Sequence, residues 1–191
     1  MENLLIPFQA VRKITAKRVL VLAPHPDDEV FGCGGAIMRH VERHVPVQVI
    51  IVTNGAYGVS QEAIPDYVRQ RQQESLAAAV ILGYGTPDFW QYHDRDLFYG
   101  EKLITEILTA IHETGADLVY APSVYEIHPD HRALGMAAVE AVRRTDKDSP
   151  VQLALYEVGL PMRPNLFLDI SDLAARKMKA MGCFTSQNAN Q

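Results

Sequence analysis

The sequence has few cysteines, no long apolar segment and no excess of basic charge, and each absence excludes a class of protein. Only two cysteines occur among 191 residues, Cys33 and Cys183, so neither a disulfide framework nor a four-thiolate zinc site can be built. No stretch approaches the roughly 20 apolar residues of a membrane span, and the N-terminus lacks the features of a secretion signal. We therefore expect a cytoplasmic protein that does not span a membrane.

The charge balance argues against a nucleic-acid partner. Eighteen Lys and Arg residues against 23 Asp and Glu residues give a formal net charge of −5, whereas a nucleic-acid surface needs a clustered basic patch. No repeat or linker-like stretch divides the chain. We expect one domain over residues 1–191 that acts on a small molecule, and a homo-oligomer is left open.

Short apolar runs alternate with amphipathic segments, the pattern of an α/β fold. Apolar runs predict buried strands at 18–23, 47–53, 117–121 and, more weakly, 152–158. Helical spacing of apolar residues predicts helices at about 30–43, 66–82, 103–111, 132–144 and 171–181. Ser171 and Asp172 provide an N-cap signal for the last helix, and Gly83 provides a stop for the second. The alternation predicts a Rossmann-like, doubly wound, mainly parallel sheet with helices on both faces, whose ligands bind beyond the strands' carboxyl ends.

An acidic segment, residues 24–29 (PHPDDE), follows the first predicted strand directly. Three carboxylates and an imidazole within five residues are costly in a partly buried crevice unless a cation compensates them. The two prolines restrict the backbone and favour an extended loop, which lets the side chains converge. This segment therefore indicates a cation site.

A second segment of the same kind, residues 128–131 (HPDH), follows the strand predicted at 117–121. Both segments come after strand ends that we expect to face one crevice. Imidazole nitrogen with one or two carboxylate oxygens suits Zn²⁺, with Fe²⁺ or another first-row divalent ion as the alternative. Three protein ligands and an open position would mark a catalytic centre.

The two segments resemble the signatures of the LmbE/PIG-L family, zinc N-deacetylases of N-acetylglucosamine-type substrates. The resemblance covers residues 18–187. It implies His25, Asp28 and His131 as zinc ligands, Asp27 as the general base, and His128 as the residue that stabilises the transition state.

Weaker similarities imply substrate contacts. Arg71 lies in an R-x-x-E helix that ends in Leu-Gly, and Asp94 begins a D-x-x-L element. Arg69 is a rival to Arg71, and the loop at 54–58 could form a rim. The family usually continues beyond the Ser-Gln pair at 186–187, so a C-terminal segment could be lacking here, or the chain could be part of a longer protein.

The resemblance predicts hydrolysis of a linear amide C–N bond, which removes the acetyl or other acyl group of an N-acylated sugar by a metal-activated water. Asp27 would take a proton from that water, and a protonated His128 would stabilise the oxyanion. Asp130 and Glu29 would fix histidine tautomers or loop geometry. The alternatives are an amidase for a non-sugar substrate and a catalytically idle sugar-binding module. A metal phosphoesterase is less favoured, because it would need more ligands.

Overall fold

The computed structural model describes residues 9–148 and 150–188, and its centre is one parallel sheet of five strands. The strands are β1 (Val19–Ala23), β2 (Val47–Thr53), β3 (Asp88–Tyr92), β4 (Leu118–Pro122) and β5 (Gln152–Tyr156). Their order is β3-β2-β1-β4-β5, and every neighbouring pair is parallel. The predicted doubly wound α/β class is confirmed. The strand order reverses between β1 and β4, which makes their carboxyl ends the expected position of a ligand.

The helices surround this sheet. They are α1 (Asp28–Phe31), α2 (Gly34–Val41), α3 (Ile64–Leu82), α4 (Glu101–Thr114), α5 (Pro129–Arg143), α6 (Ala174–Met181) and α7 (Thr185–Asn188), and a 3-10 turn spans Ser171–Leu173. No helix in the described part of the chain is both long and apolar enough to cross a membrane.

One predicted helix is divided in two, one predicted helix start is wrong and one predicted helix end is confirmed. The helix predicted at 30–43 is two helices, α1 and α2, because the chain leaves the helix at Gly32 and Cys33, a run of low helix propensity. The predicted N-cap at Ser171 and Asp172 is wrong, since these residues form the 3-10 turn and α6 starts after Leu173 without a side-chain cap. The stop at Gly83 is confirmed: its φ of 87° ends α3 in the left-handed region.

Strand β1 lies at the centre of the core, and its side chains alternate between two apolar layers. Val19, Val21 and Ala23 face the layer that also contains Ile37 and Leu82, from α2 and α3. Leu20 and Leu22 belong to the opposite layer, which α4 and α5 complete. Every residue of β1 is buried, which explains why this strand could be predicted from an uninterrupted apolar run.

Helix α5 packs closely against the sheet at the carboxyl end of β4. A Cβ atom on Gly135 of α5 would lie 2.5 Å from the carbonyl oxygen of Pro122, the last residue of β4. Only glycine therefore permits this distance between α5 and β4. The close approach holds the first turn of α5, which carries part of the second acidic segment, against the end of the sheet.

Candidate metal centre

The two acidic segments meet at the switch point between β1 and β4. The loop after β1 leads into α1, and the loop after β4 leads into α5. The rings of His25 and His131, 106 residues apart in the chain, have centroids 5.1 Å apart. Side chains from both segments thus share one crevice at the carboxyl edge of the sheet.

Three atoms from three residues form a compact triangle in this crevice. Asp28 Oδ2 lies 3.1 Å from His25 Nδ1 and 3.1 Å from His131 Nε2, and the two imidazole nitrogens are 3.2 Å apart. All three residues are buried. Ligand atoms about 2.1 Å from a tetrahedral Zn²⁺ are separated by about 3.4 Å, so the triangle matches three of its four positions.

The other edge of the His25 ring faces a pair of carboxylates. His25 Nε2 lies 3.1 Å from Asp130 Oδ2 and 3.3 Å from Asp94 Oδ1. A ligating imidazole that uses one nitrogen for a metal donates the N–H of the other to such an acceptor, which fixes its tautomer and ring orientation. Asp130 and Asp94 therefore fit the role of support for His25.

Two wider groups of side chains could also surround a cation: His25, His128 and His131, and His25 with Asp94, His128 and Asp130. The ligand atoms in each lie within 4.8 Å of one another. The Asp130 oxygens, however, already accept the backbone N–H groups of Arg95 at 2.7 Å and Leu97 at 3.4 Å. Because these N–H groups already engage Asp130, the group that contains it is a poorer candidate for a cation than the triangle of His25, Asp28 and His131.

Asp27 stands beside this triangle in a strained backbone conformation. Its φ of 137° lies in the region that favours glycine, and it occupies the N-cap position of α1. Its backbone N–H donates to Glu29 Oε2 at 2.9 Å, and its carboxylate accepts from the Arg71 guanidinium at 3.0 Å. Two side chains thus hold Asp27 from opposite ends.

Burial and the neighbouring charges separate the pKa values of the adjacent carboxyls. Burial raises the pKa of Asp27, and the charges of Asp28 and Glu29 add to this effect against the opposing Arg71. Burial also acts on Asp28, but hydrogen bonds from His131 and His25 outweigh it and lower the pKa of that carboxyl. The two adjacent carboxyls are therefore driven to different pKa values, and Asp28 is the one whose anionic form is favoured.

His128 is half-buried at the mouth of the crevice. Its Nδ1 accepts the backbone N–H of Asp130 at 3.3 Å and so caps α5, which leaves the proton of a neutral ring on Nε2. That Nε2 lies 3.8 Å from Asp94 Oδ1. Burial lowers the pKa of His128, and the positive charges of His25 and His131 lower it further. The geometry favours a neutral N–H donor, and the oxyanion role that the sequence predicts for His128 stays a prediction.

The two arginines named as rivals occupy different environments. Arg69 is exposed and pairs with Asp66, also on α3. Arg71 is 4% exposed and donates to Asp27, to the carbonyl of Pro26 and to that of Gly55. In this arrangement Arg71 holds the Asp27 loop, and its contact with a substrate stays a prediction.

Glu74, the fourth position of the R-x-x-E pattern, does not pair with Arg71. Its carboxylate accepts the Ser186 N–H and the hydroxyls of Thr185 and Ser186, which ties α3 to α7.

Sequence reasoning missed Glu126. This carboxylate is 2% exposed, accepts the backbone N–H groups of Val158 and Gly159, and has Oε2 3.9 Å from His131 Nδ1. That nitrogen is buried and has no hydrogen-bond partner among residues 9–148 and 150–188. The available signal was an acidic residue two positions before the HPDH segment, but nothing in the sequence indicated its burial.

Comparison with known proteins finds similar sequences along most of the chain. The family model described as PIG-L: GlcNAc-PI de-N-acetylase matches residues 20–142. Diacetylchitobiose deacetylase of Thermococcus kodakarensis is 30% identical, over 95% of this chain and 72% of that protein. A probable N-acetyl-alpha-D-glucosaminyl L-malate deacetylase 2 of Bacillus cereus is 28% identical, over 90% of this chain and 84% of that protein.

Solved structures extend the similarity to the fold. The N,N'-diacetylchitobiose deacetylase from Pyrococcus horikoshii, in complex with its inhibitor MPG, superposes with a TM-score of 0.82 at 29% identity. The superposition covers 97% of this chain and 76% of that one. The predicted family and the predicted class of enzyme, an N-deacetylase, are confirmed by these similarities.

Proposed function

The chain belongs to the PIG-L family, described as GlcNAc-PI de-N-acetylase, and we propose that it removes the acetyl group from the amide nitrogen of an N-acetylglucosamine-type sugar. The observation that carries this proposal is the triangle of His25 Nδ1, Asp28 Oδ2 and His131 Nε2, with sides of 3.1 to 3.2 Å. The named deacetylases among its relatives support the sugar substrate.

We propose that the triangle holds Zn²⁺. Two imidazoles and one carboxylate are a donor set that zinc prefers, and Fe²⁺ is the alternative. When bound, such an ion polarises an amide carbonyl and lowers the pKa of water.

Asp27 acts in this proposal as the general base. Burial raises the pKa of Asp27, and a carboxylate of raised pKa is a stronger base, able to accept a proton from water and to return it to the leaving amine. Its side chain is 19% exposed, so it reaches the crevice from the partly open side. Arg71 and Glu29 keep it in place through the two contacts described above.

His128 stabilises the oxyanion through Nε2–H, as a neutral donor whose Nδ1 is occupied by the cap of α5. Asp94 lies beside both His25 and His128. In this proposal it accepts hydrogen bonds from sugar hydroxyls. Asp130 and Glu126 act through the histidines that they face.

The test is acetate release from N-acetylglucosamine, its methyl glycoside and N,N'-diacetylchitobiose. We expect release that a chelator abolishes and that Zn²⁺ or Fe²⁺ restores. Chelator-sensitive release only from a non-sugar N-acetyl amide would make the protein an amidase of another class. Sugar binding without any release would make it a binding module, and two tightly bound metals per chain with phosphatase activity would make it a phosphoesterase.

A further inference from the structure

An arginine at the edge of the crevice has an unusual backbone and no charge partner. Arg95 follows β3 in the loop that reaches the site, and its φ of 66° lies in the left-handed region that favours glycine. Its backbone N–H donates to Asp130 Oδ2 at 2.7 Å, so it lies one hydrogen bond from the support of His25. A strained residue that is not glycine, placed beside an active site, points to a function for its side chain.

The Arg95 side chain is held in place by an aromatic ring. Its guanidinium carbon lies 4.1 Å from the centroid of the Tyr57 ring, and that ring is 62% exposed. The Tyr57 backbone N–H in turn donates to Asp94 Oδ2 at 3.3 Å. The loops after β2 and β3 are thereby joined to each other and to the site, which orients the cation without consuming its N–H donors.

Those donors are free, although Asp94 and Asp96 flank Arg95 in the sequence. Among residues 9–148 and 150–188, no carboxylate oxygen lies within 4.0 Å of the Arg95 guanidinium and no acceptor is hydrogen-bonded to it. The oxygens of Asp94 and Asp130 face His25, His128 and backbone N–H groups instead. The charge of Arg95 is thus left available for a ligand.

We propose that Arg95, stacked on Tyr57, is a specificity-determining residue that binds an anionic group on the substituent attached to the N-acylated sugar. A planar guanidinium presents paired N–H donors that match a carboxylate or a phosphate. Both groups share this chemistry, and the substrates below distinguish them. The inference rests on the proposed function, since it names the substrate class of the same site.

The experiment compares three sugars: the neutral methyl glycoside of N-acetylglucosamine, its carboxymethyl glycoside, and N-acetylglucosamine 1-phosphate. For the wild-type protein we expect kcat/KM for one or both anionic sugars to exceed that for the neutral sugar by about 10- to 100-fold, the effect of a hydrogen bond to a charged group. Arg95→Gln keeps the side-chain length and removes the charge, and we expect the ratio to fall toward one. The loss should lie in KM with kcat unchanged, because the contact is made equally in ground and transition states.

Arg95→Gly is the matched control for the backbone. Glycine adopts this φ without strain, so the melting temperature of the variant reports on the strain at Arg95. It should lose the same preference as Arg95→Gln. A wild-type ratio near one, a ratio unchanged in both variants, or an equal loss for neutral and anionic sugars would each overturn the inference.

Calorimetric titration distinguishes failure of the inference about Arg95 from failure of the proposed function. If no sugar releases acetate, the deacetylase proposal fails, but tighter binding of N-acetylglucosamine 1-phosphate than of the methyl glycoside, lost in Arg95→Gln, would still support the anion site.

Discussion

The loops after β1 and β4 both contain the tripeptide His-Pro-Asp, and the structure uses the two copies in opposite ways. In the first loop, His25 joins the ligand triangle and Asp27 stays partly exposed at the mouth. In the second loop, His128 stays at the mouth, whereas Asp130 is fully buried behind His25.

The reversal follows from where each helix begins. Asp27 is the N-cap of α1, so His25 lies two residues outside that helix, whereas His128 is itself the N-cap of α5. The two tripeptides thus differ by two residues in their position relative to the helix start. The chemistry of such a segment therefore depends on its position relative to the helix as much as on its residue types.

The largest effect is expected from the triangle itself. His131→Ala should lose the bound metal and reduce turnover by about 10³-fold or more, because metal-ion catalysis supplies several kcal/mol. Elemental analysis and acetate release measure the two losses on one sample. A fully metal-loaded His131→Ala protein would show that the ligand set is wrong.

Next in size is the base at the mouth of the first loop. Asp27→Asn should keep the metal content near normal and lower kcat by a factor of about 10² or more, because it removes proton transfer and not a ligand. Metal content is the control here. If the variant lost its metal, Asp27 would belong to the ligand set.

His128 occupies the corresponding mouth position of the second loop. His128→Asn keeps an oxygen acceptor for the cap of α5 and removes the Nε2–H donor, so the fold should persist while kcat falls by about 10²-fold. The comparison with His128→Ala, which loses the cap too, isolates the structural part by thermal unfolding. An unchanged rate at every pH would refute the oxyanion role.

The smallest effect on turnover is expected at Asp130, the buried counterpart of Asp27. With metal in excess, Asp130→Asn should remain active, but its metal affinity should fall by about 10- to 100-fold, as for other residues that orient a ligating histidine. Its free energy of unfolding should drop by about 1–3 kcal/mol, since one buried acceptor is lost to its N–H donors. A rate loss as large as that of Asp27→Asn, without loss of metal, would remove the distinction between the two loops.

The α/β class, four of the five strands and the two segments that meet at the site can be predicted from the sequence. These features are local: β1 is buried on both faces and reads as an uninterrupted apolar run, and each acidic segment directly follows or closely trails a buried strand. Strand β3 was missed because it lies at the edge of the sheet with exposed and half-buried residues, and so has no continuous apolar pattern.

The groups that support the site follow from packing between distant parts of the chain. Three contacts join residues that are distant in the sequence or lie in different elements: Glu126 beside His131, Arg71 on Asp27, and Arg95 on Tyr57. The direction of each side chain depends on packing. The metal-binding residue types belong to two short segments of the sequence, whereas the contacts that support them depend on distances across the sheet. Such distances exist only once β1 and β4 lie side by side and α5 packs closely enough to bring His131 to Asp28.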